Sequence, residues 1–277
     1  TIVVGDIHGC MDELMLLQIR NQLRPEGAGT GFALAAGQTA FGQGLVAQNW
    51  DNDPALDPFT IVLTRRPAGK PAMLDVTQAG LIAYIGLSAA GIGVCLNTLP
   101  APSREHGVPH YFTVRRIFEA HTLAAAVAAV DRAQRAIPAN ILLSTPEGPA
   151  DLEVTLDAVQ VLHDEGSGVV THTNHCLHPD LLAINRRFPE LIQSVPRKAR
   201  IDELLAGLPR PFELAGLQEV LRDHQQYPCS ICRHENADPA TGFLASVFSV
   251  IAVPEAGCLY VARGNPCAAP YETYRLS

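Results

Sequence analysis

Residues 30–51 read TGFALAAGQTAFGQGLVAQNWD and set the β-rich character of the chain. Two apolar runs, 31–36 and 44–50, flank a polar segment that contains glycine, which is the pattern of two consecutive strands. The same pattern of apolar runs separated by polar, glycine-containing segments continues to residue 98. The further strands predicted in this part of the chain are 59–65, 71–76, 81–87 and 92–97.

The remaining two thirds of the chain alternate between helical and β-like blocks. Helices are predicted over 110–120 and over the alanine-rich 122–135, which Pro138 ends. Then come strands over 140–144, 152–156, 158–163 and 168–171, a helical stretch over about 181–225, and strands over 243–252 and 258–262. This order favours an α+β fold of stacked sheets flanked by helix layers over regular βαβ alternation.

Composition excludes several classes of protein. The 277 residues are 47% hydrophobic and 17% charged, with a net charge of −8, so a nucleic-acid partner is not expected. Apolar runs stay shorter than the ~18 residues of a membrane span, so no membrane partner is expected either. The seven cysteines are an odd number in a long chain, which favours reduced thiols over a disulfide scaffold. With no signal-peptide pattern at Thr1, we predict a cytoplasmic protein.

The N-terminal residues carry a separate motif. Gly5-Asp6-Ile7-His8-Gly9 resembles the metal-binding opening of metallophosphatases, in which Asp and His hold a divalent metal. The further ligand strings that such a two-metal site needs are missing, and the alternative is that Asp6 and His8 cap a turn. A helix is predicted over 11–23, followed by the Pro- and Gly-rich break at 24–29.

Two cysteine and histidine clusters leave alternatives open. Cys229-Ser-Ile-Cys232 is a lone C-x-x-C, which can be half of a zinc site, a redox pair or two half-buried thiols, and the last is favoured. His172-Thr-Asn-His175, with His178 nearby, can bind a metal or form a surface turn. Asn174 in this string has a further use, because its amide can donate to an oxyanion.

A set of short segments spread along the chain resembles the acyl-coenzyme A:6-aminopenicillanic-acid acyltransferase (isopenicillin N acyltransferase) family of cysteine-type N-terminal-nucleophile hydrolases. The resemblance covers about 30–277, in order and with similar spacing. The segments that carry it are Thr30-Gly-Phe-Ala33, Gln48-Asn-Trp-Asp51, Thr77-Gln-Ala-Gly80, Gly86-Leu-Ser-Ala-Ala-Gly91, Asn97-Thr-Leu99, Gly107-Val-Pro109 with Arg115, His172-Thr-Asn-His175, Tyr227-Pro-Cys-Ser-Ile-Cys-Arg233, Gly264-Asn-Pro-Cys267 and Tyr274-Arg-Leu276.

The resemblance implies a four-layer αββα sandwich, residues 29–277, preceded by a propeptide-like segment, residues 1–28. Such proteins cut themselves before a nucleophile, whose freed α-amine, with a pKa of ~7.7–8.0, then acts as general base. By this resemblance Asp51 orients the α-amine, Asn174 donates to the oxyanion, and Arg233 steadies the charge of Asp51. Ser230 and Trp50 are assigned to substrate binding.

The chain departs from the family pattern at the nucleophile. The family has Cys directly before the Thr of this motif, whereas this chain has Gly29 before Thr30. Three explanations remain: an inactivated variant that stays a precursor, a natural pseudoenzyme, or Thr30 as the replacement nucleophile. Cys10 has a spacing to Asp51 that suits this role poorly.

The function expected from these residues is acyl transfer or amide hydrolysis through a covalent acyl intermediate. The substrate is a small amide or acyl thioester, with acyl-coenzyme A as one candidate, and no cofactor or metal is expected. The alternatives are a catalytically inactive binding protein on the same scaffold and a metal-dependent phosphoesterase. The sequence does not indicate the oligomeric state.

Overall fold

The computed structural model describes residues 28–187 and 192–276 and contains two antiparallel sheets. The first sheet has six strands in the order β10-β1-β2-β11-β12-β13. Its strands are β1 (Ala28–Leu34), β2 (Leu45–Asn52), β10 (Val169–His172), β11 (Ala245–Val253), β12 (Cys258–Arg263) and β13 (Glu272–Arg275).

The second sheet has seven strands that follow the order of the chain from β3 to β9. They are β3 (Thr60–Arg65), β4 (Met73–Gln78), β5 (Ile85–Ser88), β6 (Gly93–Asn97), β7 (Ala139–Thr145), β8 (Gly148–Val154) and β9 (Val159–His163). Every pair of neighbouring strands is antiparallel, so short turns suffice for most connections.

Helices cover the outer faces of both sheets. The described residues form α1 (His110–Ile117), α2 (Leu123–Asp131), α3 (Leu182–Arg187), α4 (Ser194–Gly207) and α5 (Leu214–Leu221), besides three short 3-10 helices at Ala36–Gln38, Pro54–Phe59 and Pro179–Leu181. α2 contacts β8 and β9 of the second sheet, whereas α4 contacts β1 and β10 of the first. The layers therefore run helix, sheet, sheet, helix, which confirms the predicted αββα architecture.

Two apolar cores hold these layers together. The larger core fills the space between the sheets and extends under α1 and α2, and the smaller one lies between the first sheet and α4 and α5. Burial of this apolar surface is the main favourable term in folding. Both faces of β1 and β2 are covered, and for that reason their sequences are almost wholly apolar or uncharged.

Most predicted elements are present, with bounds shifted by a few residues. Within the described residues, the helical stretch 181–225 contains three α-helices, and the last two are separate because Pro209 and Pro211 cannot continue α4 beyond Leu208. The sequence does not predict β13, since its residues are mostly exposed and show no apolar alternation. The predicted helix 11–23 and nearly all of the propeptide-like segment lie outside the described residues.

No helix in the described ranges has both the length and the apolar character needed to cross a bilayer.

Gly31 lets β1 approach the second sheet closely. A Cβ atom at Gly31 would lie 2.6 Å from Cδ1 of Leu142 on β7 and 2.9 Å from the carbonyl oxygen of Ala47. The Leu142 contact crosses to the second sheet, whereas Ala47 lies on the neighbouring strand β2, so a side chain at this position crowds both neighbours.

We expect Gly31→Ala to lower the free energy of unfolding by about 1–3 kcal/mol, because overpacking a tight interior strains its neighbours. Urea unfolding followed by circular dichroism measures the loss. Gly37→Ala is the matched control, since a Cβ there meets nothing within 4 Å. Equal stability of the two variants would contradict the close approach of β1 to β7.

Candidate functional site

The site is built around the peptide unit between Gly29 and Thr30, near the start of β1. The Gly29 N–H donates to Oδ1 of Asn174 over 3.0 Å. The Gly29 carbonyl accepts a hydrogen bond of 2.6 Å from Nη1 of Arg197, and the same Nη1 donates to Oγ1 of Thr30 over 2.8 Å. Both polar groups of Gly29 and the neighbouring hydroxyl are therefore held by side chains from other elements.

Arg197 is the centre of this arrangement and comes from the first turn of α4. Its Nη2 donates to Oδ1 of Asn174 over 2.7 Å, and its Nε and Nη2 both donate to the carbonyl of Ile192. The side chain is almost fully buried. A guanidinium stays charged in proteins, so its burial requires this dense set of acceptors.

Asn174 lies in the loop that follows β10 and joins three segments of the chain. Its backbone N–H donates to Oγ of Ser194, and its Nδ2 donates to the carbonyl of Thr98 over 3.0 Å. Because Gly29 and Arg197 both donate to Oδ1, the amide orientation is fixed with its oxygen toward residue 29. Its use as an oxyanion donor stays a prediction, since Nδ2 donates to Thr98 here.

Asp51 lies at the end of β2, opposite Ala28 in the strand register. Its Oδ1 accepts a hydrogen bond of 2.6 Å from Oγ of Ser246, and its Oδ2 has no hydrogen-bond partner among the described residues. Burial raises the pKa of Asp51 from 3.8 to about 6, although Arg197, Ser246 and Arg233 each favour the ionised form. This carboxyl group therefore titrates close to neutral pH.

Arg233 approaches the site from the segment before β11. Its Nη1 donates to Oε1 of Gln193 over 3.0 Å and to the carbonyl of Ile192 over 3.3 Å. Its backbone N–H donates to Oγ of Ser246, the hydroxyl that also donates to Asp51. The positive charge of Arg233 lowers the pKa of Asp51, and the role of Arg233 in the reaction stays a prediction.

The two residues assigned to substrate binding are packed in the interior. Ser230 donates to the carbonyl of Cys232 over 2.6 Å. Trp50 lies between the sheets, where its Nε1 donates to Oη of Tyr84 and its ring stacks on Phe248 with centroids 4.9 Å apart. Their contact with a substrate stays a prediction.

An amide network faces residue 29 from the side of the second sheet. A Cβ atom at position 29 would contact Oδ1 of Asn97 and would lie 2.8 Å from Nε2 of Gln48. Gln48 donates to Asn97 over 2.7 Å, and Asn97 donates to Asn140 over 3.0 Å. The space that a side chain at position 29 would enter is thus lined by the ends of two amide side chains.

Sequence reasoning assigns no role to Arg197, Asn97 or Gln48. Gln48 and Asn97 belong to the segments that carry the family resemblance. Their position as polar residues within apolar strands is the sequence feature that could have identified them. Arg197 has no such signal, because it belongs to a helix with several other cationic residues.

The three histidines of 172–178 take separate partners. His172 shares a hydrogen bond of 2.8 Å with Glu153, His175 pairs with Ser194, and His178 accepts from the backbone N–H of Asp180. Burial alone lowers the pKa of His172, but the carboxylates of Asp151 and Glu153 outweigh it and raise the pKa. These histidines therefore do not converge on one metal site.

Asp151, Glu153 and His172 do place their ligand atoms within 4.8 Å of one another. The carboxylate of Glu153 already accepts hydrogen bonds from the backbone N–H groups of Leu177 and His178. Asn140 donates to Asp151 over 2.5 Å. Both oxygens of Glu153 and Oδ1 of Asp151 are therefore engaged by the protein's own donors, whereas Oδ2 of Asp151 has no hydrogen-bond partner among the described residues.

The N-terminal candidates cannot be placed in this site. Gly5-Asp6-Ile7-His8-Gly9 and Cys10 lie outside the described residues, so the phosphoesterase alternative and a role for Cys10 gain no structural support.

Comparisons with known proteins agree with the fold and with the sequence resemblance. The model of the family "Acyl-coenzyme A:6-aminopenicillanic acid acyl-transferase" matches residues 39–268. The 40 kDa form of acyl-coenzyme A:6-aminopenicillanic-acid-acyltransferase from Emericella nidulans is 28% identical over 212 residues, which are 75% of this chain and 57% of that protein. The chain thus spans a little over half the length of this curated relative.

Solved structures with the same fold are acylases and amide hydrolases. Penicillin V acylase from Agrobacterium tumefaciens superposes with a TM-score of 0.61 at 13% identity, covering 89% of this chain and 86% of that one. The Caenorhabditis elegans ortholog of N-acylethanolamine-hydrolyzing acid amidase gives 0.55 at 19% identity, over 90% and 100% of the chains. A mutant of conjugated bile acid hydrolase from Clostridium perfringens gives 0.58 at 13% identity, over 90% and 97%. The fold is that of the N-terminal-nucleophile hydrolases.

The raised pKa of Asp51 predicts a specific pH dependence of stability. The native state holds this proton up to about pH 6, whereas the unfolded state releases it near 3.8. Stability therefore falls as the pH rises through this window, and the Asp51→Asn variant lacks the effect. We expect the unfolding free energy of Asp51→Asn, relative to the unsubstituted chain, to increase by about 3 kcal/mol between pH 3.5 and 7.

Urea unfolding at a series of pH values measures this difference. Asp157→Asn is the matched control, because the Asp157 side chain is 95% exposed. A difference between Asp51→Asn and the unsubstituted chain that stays constant with pH would show that Asp51 ionises normally.

Proposed function

The chain belongs to the acyl-coenzyme A:6-aminopenicillanic acid acyl-transferase family, and on this premise we propose that it transfers or hydrolyses the acyl group of a small amide or acyl thioester. The reaction centre is the peptide unit between Gly29 and Thr30. An acyl-coenzyme A is the thioester class that the family name suggests.

The observation that carries this proposal is the double contact of Arg197. One nitrogen of its guanidinium donates both to the Gly29 carbonyl and to the Thr30 hydroxyl. A cation on a carbonyl oxygen makes the carbonyl carbon more electrophilic and stabilises the oxyanion that forms on attack. The same nitrogen holds the hydroxyl near this carbonyl, and such positioning of a nucleophile favours attack.

Self-cleavage then follows as an acyl shift. The Thr30 oxygen bonds to the Gly29 carbonyl carbon, the C–N bond to Thr30 breaks, and the hydroxyl proton passes to the departing nitrogen. Water hydrolyses the resulting ester and leaves Thr30 with a free α-amine. An α-amine, with a pKa of ~7.7–8.0, serves as the base for later acyl transfer by the Thr30 hydroxyl.

Asp51 and Arg233 have supporting roles in this scheme. The Asp51 carboxylate lies across the strand pair from Ala28, and its raised pKa suits a group that exchanges a proton near neutral pH. Arg233 contributes positive charge beside it. Asn174 accepts a hydrogen bond from the backbone N–H of residue 29. Its amide nitrogen can donate to the oxyanion once its hydrogen bond to the Thr98 carbonyl breaks.

A second candidate, a binding protein without turnover, is favoured by the glycine at position 29. Asn174, Gln48 and Asn97 all face this residue rather than Thr30. The family pattern places a cysteine here, and glycine has no side chain to attack a substrate. In this candidate the site holds an acyl compound and performs no covalent step.

The threonine nucleophile is tested by the mass of the purified chain. We expect a fragment that begins at Thr30, its retention in Thr30→Ser, and its loss in Thr30→Val, which keeps the shape but lacks the hydroxyl. Thr77→Val is the matched control, because Thr77 is a fully buried threonine on β4. An intact unsubstituted chain favours the binding candidate.

The role of position 29 is tested by restoring the thiol. We expect Gly29→Cys to cleave itself directly after Ala28 and to hydrolyse acyl thioesters roughly 10²-fold faster than the unsubstituted chain or more. The added Cβ displaces the ends of the Asn97 and Gln48 side chains and lies 3.3 Å from the backbone oxygen of Asn49.

Gly29→Ala is the control for this gain, since it adds the Cβ without the sulfur. A folded Gly29→Cys protein that neither cleaves itself nor turns over acyl thioesters would show that a thiol at position 29 does not restore the family's reaction in this chain.

A further inference from the structure

A second cluster of reactive side chains lies beside the segment that carries Arg233. His224, Cys232, His234 and Cys267 place one nitrogen or sulfur each within 4.8 Å of all the others. His234 Nε2 lies 3.1 Å from His224 Nε2, 3.6 Å from Cys232 Sγ and 3.6 Å from Cys267 Sγ. Four ligand atoms from three parts of the chain thus lie close together.

These separations fit a tetrahedral zinc ion. With Zn–S of ~2.3 Å and Zn–N of ~2.05 Å, a regular tetrahedron requires about 3.4 Å between nitrogens and about 3.6 Å between nitrogen and sulfur. The three distances from His234 Nε2 differ from these values by at most a few tenths of an ångström, and the other pairs lie within 4.8 Å. Two thiolates with two imidazoles are also a ligand set that selects zinc over magnesium or calcium.

The local backbone fixes these ligands in place. The N–H of Cys232 donates to the carbonyl of Asp223, and the N–H of His234 donates to the carbonyl of Pro228. Asn265 donates to the carbonyl of Arg233 over 2.7 Å and to Sγ of Cys232 over 3.5 Å. An N–H donor to a ligand sulfur stabilises the thiolate form and is a common outer contact of metal sites.

From this geometry we propose that His224, Cys232, His234 and Cys267 bind one Zn²⁺ ion in a structural site. Each cysteine gives its thiol proton to solvent when the metal binds, and each histidine binds through neutral Nε2. Four protein ligands leave no position for a substrate or a water, which makes the site structural rather than catalytic. His224 and Cys267 are exposed, so the ion has access from solvent.

The position of the cluster ties it to the reaction centre. Arg233 stands between two of the ligands, Cys232 and His234, and its guanidinium reaches into the buried site. Zinc joins this segment to the loop after β12, which carries Cys267. The metal therefore positions Arg233 without touching a reacting group.

The structure separates this site from the C-x-x-C motif. Cys229, the motif partner of Cys232, instead accepts from Asn236 over 3.8 Å and is not part of the cluster. The fourth ligand, Cys267, lies 35 positions after Cys232 in the printed sequence. No zinc-finger spacing exists to reveal the site from sequence.

The proposal is tested by metal analysis and by cobalt(II) spectroscopy of the full chain purified under reducing conditions. We expect one zinc per chain, and after its removal one cobalt(II) with the intense visible absorption of a tetrahedral thiolate site. Cys267→Ser and His224→Ala lose the stoichiometric metal and this absorption. The chelated protein unfolds at a temperature ~5 °C or more below the zinc form.

Two matched variants separate the cluster from nearby groups. Cys229→Ser removes a thiol of the same loop, and His106→Ala removes an exposed imidazole elsewhere. Both retain one zinc per chain. Less than ~0.1 zinc per chain after reconstitution, or equal metal content in Cys267→Ser and Cys229→Ser, overturns the proposal, as does a mass that shows a Cys232–Cys267 disulfide under reducing conditions. These readouts do not depend on acyl transfer.

Discussion

The buried positive charge of Arg197 is the constraint on which the rest of the site depends. A guanidinium cannot lose its charge at any ordinary pH, so the fold must surround it with acceptors. The Gly29 carbonyl, the Thr30 hydroxyl, Oδ1 of Asn174 and the Ile192 carbonyl fill that need. The start of β1, the loop after β10 and the start of α4 are thereby locked to one another.

The two faces of β1 explain why residues 29 and 30 differ so much in their surroundings. Successive side chains of a strand point to opposite faces. Thr30 faces the helix layer and meets Arg197, whereas a side chain at position 29 would face the second sheet and meet the Gln48 and Asn97 amides. Because position 29 is glycine, no side chain enters between Gln48 and Asn97, which hydrogen-bond to each other. A thiol at position 29 and the hydroxyl of Thr30 would thus react on opposite faces of β1.

Charge around Asp51 is balanced by groups from three distant segments. Burial favours the protonated acid, whereas Arg197, Ser246 and Arg233 favour the carboxylate, and the outcome is a pKa of about 6. In the sequence, Arg233 is also flanked by Cys232 and His234, two members of the neighbouring cluster. Arg233 belongs to the segment 224–234 and favours the ionised form of Asp51, so the proposed zinc site and the buried site share this segment.

The sequence by itself predicted most of the strands and helices, though not β13, together with the layered α+β architecture and the family, because apolar alternation, proline breaks and short motifs are local properties. It also identified Asp51, Asn174 and Arg233 as polar residues of interest. Only the tertiary structure revealed Arg197 over the Gly29–Thr30 peptide, Asn97 opposite residue 29, and Cys267 beside Cys232. Each of these contacts joins residues that lie 35 to 168 positions apart. No local pattern encodes such a pairing, since it arises only when sheets and helices pack together.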